Sequence, residues 1–227
     1  MNQFHRIAVL AAAFMGLAAC VQEQRGNLPL EQMGTVEEAR QTLEQMRADP
    51  SRRELNFYLQ HARGVLILPS QIKGALLIGG SGGTGVMLSR HADGSWSCPA
   101  FYSVGSVSYW LQIGAMRSET VLVLMNDEVM RTMMDEGLRI GVDASAAFGG
   151  VGGGAQASSS NMFRDVYIFT QSSGIFVGLS AELGLVSPRE AWNAAYYGRT
   201  VAAEDILVKR SVCSADADRL RASLARN

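Results

Sequence analysis

The run ALLIGGSGGTGVMLSR, Ala75 to Arg90, is where residue type and spacing come nearest to a known chemistry. Gly80, Gly82 and Gly85 are spaced as G-x-G-x-x-G, the loop whose backbone N–H groups cradle a dinucleotide pyrophosphate. Gly79, Ser81 and Gly83 are spaced as G-x-S-x-G, the elbow that presents a nucleophilic serine. Spacing alone suffices for neither. The cradle needs a helix directly after the glycines, because the anion rests on helix N–H groups. Here Val86 to Arg90 run into the turn pair Asp93-Gly94, which leaves no room for one. The elbow needs an acid and then a histidine later in the chain. The histidine that follows Ser81 is His91, with no acid between them. The glycines therefore read as a bend between two strands, used for conformational freedom and close backbone approach. No residue is assigned a catalytic role, and the protein is expected not to be an enzyme.

Metal and nucleic acid are also disfavoured. His61, His91, Cys98 and Cys213 lack the close spacing of a ligand set, so neither a metal nor a cofactor is expected. Asp127, Glu128, Asp135 and Glu136 read as charge on a helix surface, the first two complementing the helix N-terminus. The formal charge is −1, with 20 basic and 21 acidic residues and no long Lys/Arg run. Nucleic-acid affinity comes largely from neutralised phosphates, so such a partner is excluded.

The N-terminus is a separate object. Residues 1–19 hold one arginine, a short apolar run and small residues at the end, which reads as a secretory signal peptide. The run is too short for a good membrane span. Leu17-Ala-Ala-Cys20 resembles the lipobox of bacterial lipoproteins. That resemblance implies cleavage before Cys20, with diacylglycerol on its thiol and an acyl chain on its new amine. Stable anchoring takes more than one chain, which a triacylated Cys20 provides. Cys98 and Cys213 beyond the inner membrane either form a disulfide or remain two buried thiols; sequence gives no distance between them.

These residues must be held by elements that the periodicity indicates. Residues 20–34 read as the lipidated cysteine and a polar tether. Thr35-Val-Glu-Glu38 and Ser51-Arg-Arg-Glu54 are capping boxes, predicting helices that stop at Pro50 and Gly64. Short apolar strands are expected over 64–69, 75–78, 85–90, 96–101 and 120–125, with a Met-rich helix over 127–136. Residues 138–148 alternate as a strand. Residues 163–170 and 175–182 bracket Ser172-Ser-Gly174 as a hairpin. Ser187 caps a helix closing at Gly198, and Ser214 caps the last one. Helices first, then mostly antiparallel strand, argue α+β: a curved sheet, open or partly closed into a barrel, with N-terminal helices and short peripheral ones.

With the elements in order, a family resemblance emerges. Ala62-Arg-Gly-Val-Leu-Ile-Leu-Pro69, Lys73-Gly-Ala-Leu-Leu-Ile-Gly-Gly80 and Gly83-Thr-Gly-Val86 resemble the start of a SYLF domain, also called Ysc84-type or DUF500. The likeness continues through Gly94 to Phe101, Leu111 to Gly114, Gly141 to Ser145, Tyr167 to Gly178 and Asn193 to Gly198. It departs at Phe148-Gly-Gly150, near which the family commonly has proline, and at Ala181-Glu-Leu183. Residues 35–227 are read as this domain.

The resemblance implies lipid binding, and in fungal members actin binding as well. For an envelope protein the matching ligand is an anionic phospholipid or the phosphates of lipid A. Phosphate needs cationic heads and N–H donors. Lys73, Arg90 and Arg117, which border apolar Gly-rich segments, are the candidates; each is otherwise a solvated surface charge. Trp96 and Trp110 belong either to a lipid interface or to the core. The alternative function is a structural or protein-interaction module of the envelope, touching lipid only through Cys20. Val21 after Cys20, where aspartate would resemble an inner-membrane retention signal, indicates the outer membrane, facing the periplasm.

Overall fold

The computed structural model describes residues 29–76, 79–108, 113–135, 138–139, 147–148, 166–177 and 185–226. Contacts divide the chain into Met1–Leu30 and Glu31–Asn227, and the second unit carries the fold. It opens with α1 (Leu30–Ala48), a 3-10 turn (Pro50–Arg52) and α2 (Arg53–His61). Strands β1 (Gly64–Leu76), β2 (Gly79–Ser89), β3 (Ala100–Ser108) and β4 (Ile113–Leu124) follow. After α3 (Asp127–Asp135) come β5 (Leu138–Arg139), β6 (Ala147–Phe148), β7 (Val166–Val177) and β8 (Leu185–Pro188). Helices α4 (Glu190–Tyr197), α5 (Ala203–Leu207) and α6 (Asp218–Ala225) end the chain.

The strands form one sheet in the order β5-β8-β3-β2-β1-β4-β7-β6. Every pairing is antiparallel except the short one between β6 and β7. The fold is α+β, and among the described residues the sheet stays open.

Central strands read Val65-Leu-Ile-Leu68, Val86-Met-Leu88 and Val121-Leu-Val-Leu124, continuous apolar runs that bury both faces. One face places Leu66, Leu68, Met87, Tyr102 and Leu122 against Val129 and Met133 of α3 and Ile206 of α5. The other, here the α1 face, places Val65, Ile67, Val86, Phe101 and Val121 against Leu43 of α1, Leu55 of α2 and Leu220 of α6. Fully burying one such side chain contributes roughly 1.5–3 kcal/mol, so helices on both faces make this half of the sheet the stable part.

Local boundaries differ from expectation for identifiable reasons. Thr35 lies inside α1, where its hydroxyl donates to the Glu31 carbonyl at 2.9 Å, so it caps nothing. Asp49 caps the turn before α2, accepting from the Ser51 amide at 2.8 Å and the Ser51 hydroxyl at 2.7 Å. Residues 64–69 and 75–76 are one strand, irregular around Leu68 to Ser70, rather than two. Ser172 to Gly174 lie inside β7, paired with Ser118 to Met116, and make no hairpin. Ser187 belongs to β8, and Arg189 stands at the N-cap of α4. Gly198 does end that helix, at φ 69°, where glycine carries no Cβ penalty. Of the alternating 138–148 run, only 138–139 and 147–148 lie within the described residues.

The C-terminal segment is fastened back onto the start. Arg47 donates to the carbonyls of Ser223 and, at 2.8 Å, Arg226, while the Ser223 hydroxyl donates to Glu44 at 2.7 Å. Cys98 and Cys213 are bonded as a disulfide, their Cα atoms 5.3 Å apart.

Candidate functional site

The opening glycine run is itself a strand. Gly79 to Thr84 pair with Ala75 to Ser70 of β1 on one side, and Gly79 to Gly85 pair with Ser108 to Tyr102 of β3 on the other. The expected bend is corrected: the irregularity sits in β1, and the glycines accommodate it. A Cβ on Gly83 would stand 2.7 Å from the Ser70 carbonyl oxygen. One on Gly85 would meet the Ile67 carbonyl oxygen and lie 2.7 Å from Leu68 Cδ2. A bulged strand crowds its neighbour, and only glycine lets the two backbones come so close. Because β2 continues to Ser89, no helix follows the glycines, as either the cradle or the elbow would require.

Beyond the bulge, the strands outrun their helical cover. Pairing defines one row across the sheet: Leu185, Gly105, Gly82, Ile72, Arg117 and Ser173. Directly paired residues share a face. Two residues back along β2, β3 and β4 are Thr84, Ser103 and Glu119, and two further are Val86, Phe101 and Val121 of the α1-face core. The row therefore lies on the face that α1 covers. It is open to solvent: Ile72 is 65% exposed and Leu185 47%, and Gly82, Gly105 and Arg117 are exposed too. Two adjacent glycines thus floor a trough walled by Leu185 and Ile72, about 14 Å apart at three strand spacings. Arg117 follows Ile72, and among the described residues it has no ion pair.

Helix α1 marks the edge of this surface. Its Thr42 hydroxyl donates to Glu119 of β4 at 3.3 Å. At its other end, Glu31 lies close enough to Arg189 to act on its charge. Arg189 donates to the Thr84 hydroxyl of β2 at 2.7 Å and lies over Trp192, 3.7 Å from the ring centroid. Burial pushes the Arg189 pKa down, opposed by Glu31. This second cation beside the trough escapes sequence reasoning, since only the tertiary pairing of β2 with β3 and β3 with β8 brings it there. Asn193 escapes it as well. It is fully buried and accepts from the Phe101 amide at 2.8 Å, while the Arg189 amide donates to the Phe101 carbonyl at 2.8 Å. Together they fasten α4 to β3.

Arg117 and Arg90 do not converge. Arg117 stands on the open row. Lys73 pairs with Ser81 and Met116 by its backbone, one register position away from Ile72 and Arg117, and its side chain lies outside the described residues. Arg90 is engaged by the fold itself. Its guanidinium donates to the Gln60 carbonyl, to Leu59 at 3.5 Å and to Gly94 at 3.4 Å, closing the C-terminal end of α2. It also lies 5.5 Å from the Trp96 ring centroid. Trp96 is 2% exposed and belongs to the core, not to a lipid interface. Trp110 and Cys20 lie outside the described residues.

The remaining histidines are placed by packing. His61 Nδ1 sits 2.9 Å from the Phe57 carbonyl, one turn back along α2. The His91 pKa is lowered, first by burial and then by Arg210. Among the described residues no group of three His, Cys, Asp or Glu side chains is arranged to hold a metal ion, and no helix is long and apolar enough to cross a membrane.

A long antiparallel sheet, clad by helices on both faces at one end and, among the described residues, bare on one face beyond, defines an α+β domain. The chain belongs to the Ysc84 family: the family model described as Las17-binding protein actin regulator matches residues 105–227. It is 27% identical over 158 residues to Protein YSC84 of Saccharomyces cerevisiae, covering 68% of this chain and 34% of that protein. It is 30% identical over 148 residues to the SH3 domain-containing YSC84-like protein 1 of Rattus norvegicus, covering 64% of this chain and 43% of the relative. Likewise it is 27% identical over 156 residues to LAS seventeen-binding protein 3 of Saccharomyces cerevisiae, covering 67% and 34%. The chain thus spans less than half the length of these relatives. No solved structure matches it.

Proposed function

We propose that this protein is a non-enzymatic, membrane-anchored binding module of the cell envelope, held by an acylated Cys20, whose Ysc84-type domain binds anionic lipid head groups. The observation that carries the reading is the open row on the α1 face, where Ile72 and Leu185 expose apolar surface beside Arg117. Apolar side chains and a cation side by side suit the boundary between head groups and acyl chains. The bond between Cys98 and Cys213 supports an oxidising compartment such as the periplasm. On this reading the lipid is an anionic phospholipid or lipid A of the outer membrane.

The experiment uses residues 21–227 without an acyl chain, titrated against vesicles with and without anionic lipid at low and physiological salt. Binding that needs anionic lipid and weakens with salt is the expected result. Absence of binding under every condition overturns it. A second reading, a protein-docking module, is favoured by the names of the relatives, which describe Las17 binding and actin regulation. Crosslinking to an envelope protein, together with absence of vesicle binding, would select it.

A further inference from the structure

We infer that the glycine-floored trough on the α1 face is the surface on which the domain sits on its own membrane, with Ile72 and Leu185 entering the acyl boundary and Arg117 on the phosphates. This rests on the lipid-binding reading and adds the face that does the binding. The occupant is the anionic bilayer in which Cys20 is anchored.

Three observations select that face. The first is shape. Gly105 and Gly82 occupy adjacent strands in the middle of the row and put no side chain above the sheet, so Leu185 and Ile72 project on either side of a flat floor. Neither apolar side chain is required by the core, since both stand beyond the last buried row of the α1-face cluster. The second is charge. Arg117 shares the row, and Arg189 flanks it through Thr84, two residues along β2 from Gly82. The one carboxylate on β2, β1 or β4 near the row is Glu119, which accepts from Thr42.

The third is where the chain enters. Residues 21–29 separate Cys20 from α1, whose Glu31 is near enough to Arg189 to act on its charge, and Arg189 borders the trough through Thr84. The ten Cα-to-Cα steps from Cys20 to Leu30 reach at most about 35 Å when extended. An anchored domain is therefore held within that distance of the bilayer. A face then need only compete with the other faces of the same domain, because the tether replaces encounter from bulk solution. The face nearest the entry point that combines apolar tips with cations prevails.

The test places a polarity-sensitive fluorophore on the full, acylated chain in vesicles containing anionic phospholipid. Cys98 and Cys213 are bonded to each other and Cys20 carries lipid, so a single introduced cysteine takes the label. The positions are Ile72→Cys and Leu185→Cys in the trough, with Phe57→Cys on α2 and Val208→Cys after α5 as exposed controls. The expected result is a shift to an apolar signal at both trough positions and an aqueous signal at both controls. Arg117→Gln should weaken vesicle affinity of the chain without acyl groups about fivefold, the worth of one cation at an anionic surface. Aqueous signals at Ile72→Cys and Leu185→Cys in the anchored protein overturn the inference. If the chain without acyl groups still binds anionic vesicles while a control position shifts instead, lipid binding stands and only the face is wrong. If it does not bind and no label shifts, the lipid reading itself fails. Unchanged thermal melting of each variant excludes misfolding as the cause.

Discussion

The same strands build two unlike halves of one sheet. Below the bulge, β1 reads Val65-Leu-Ile-Leu68 and every one of those side chains is buried between helices. Above it the strand carries Gln71, buried, and Ile72, exposed, while β2 across from it turns from Val86-Met-Leu to Gly and Ser. The clad half needs both faces apolar because α1, α2 and α6 press on one and α3 and α5 on the other. The bare half keeps its backbone paired and gives up side-chain volume on the α1 face. A chain can thus concentrate its stability in one half of a sheet and leave the other free to meet a partner at little cost to folding.

The largest test of that division is the disulfide. It closes a loop of sequence separation 115 onto the clad half, where Cys98 is 3% exposed. Cys213→Ser should lower stability by about 4 kcal/mol through the freed unfolded chain, or roughly 10 °C of melting temperature. Calorimetry in the presence and absence of reductant checks this, and binding at the bare face should survive below the lowered melting temperature. Next in size, Leu122→Ala opens a cavity between two layers and should cost about 3 kcal/mol, whereas Ile72→Ala should stay within about 0.5 kcal/mol while reducing vesicle binding. Urea titrations of both would break the comparison if the two costs were alike.

Within β2 a finer contrast is available. Gly85→Ala drives a methyl into the Ile67 carbonyl and should cost about 2 kcal/mol. Gly82→Ala meets nothing nearer than the Val104 carbonyl oxygen at 3.9 Å and should be close to neutral in the same urea titration.

The smallest effect near neutrality is the response to alkali. Burial holds the Tyr196 phenol up at about 12, against an ordinary value of 10.0. The unfolded chain therefore ionises first. The stability due to neutral Tyr196 is complete below pH 10 and is lost as pH rises toward 12. Melting temperature should fall over that window, in step with tyrosinate absorbance. A flat profile would place Tyr196 in water and weaken the account of how α4 packs on the clad half.

Much of this architecture was legible in the chain. The Val/Leu/Ile runs, the Asp93-Gly94 turn, the Met-rich helix expected over 127–136 and found over 127–135, and the stop at Gly198 are local signals, and each element appears where they indicate. Capping was less legible. Thr35, Ser51 and Ser187 all carry the right chemistry, yet α1 reaches back to Leu30 and β8 takes Ser187. Among the candidate cations, only Arg117 is found on open surface with its side chain described. The engagement of Arg90 by the carbonyls at the end of α2 was not legible, because they are remote in sequence from it.

Composition and order by themselves determined the class of fold, the family and the glycine content of β2, because these depend on short-range periodicity and on residues the chain cannot exchange. They could not tell a glycine bend from a glycine strand, since both need the same residue type. Only tertiary pairing decided that. It set β1 against both β2 and β4, pressed a bulge onto Gly83 and Gly85, and brought Leu185, Gly105, Gly82, Ile72 and Arg117 into one row. Such a row has no sequence signature, because its members are joined by register across strands and not by spacing along the chain.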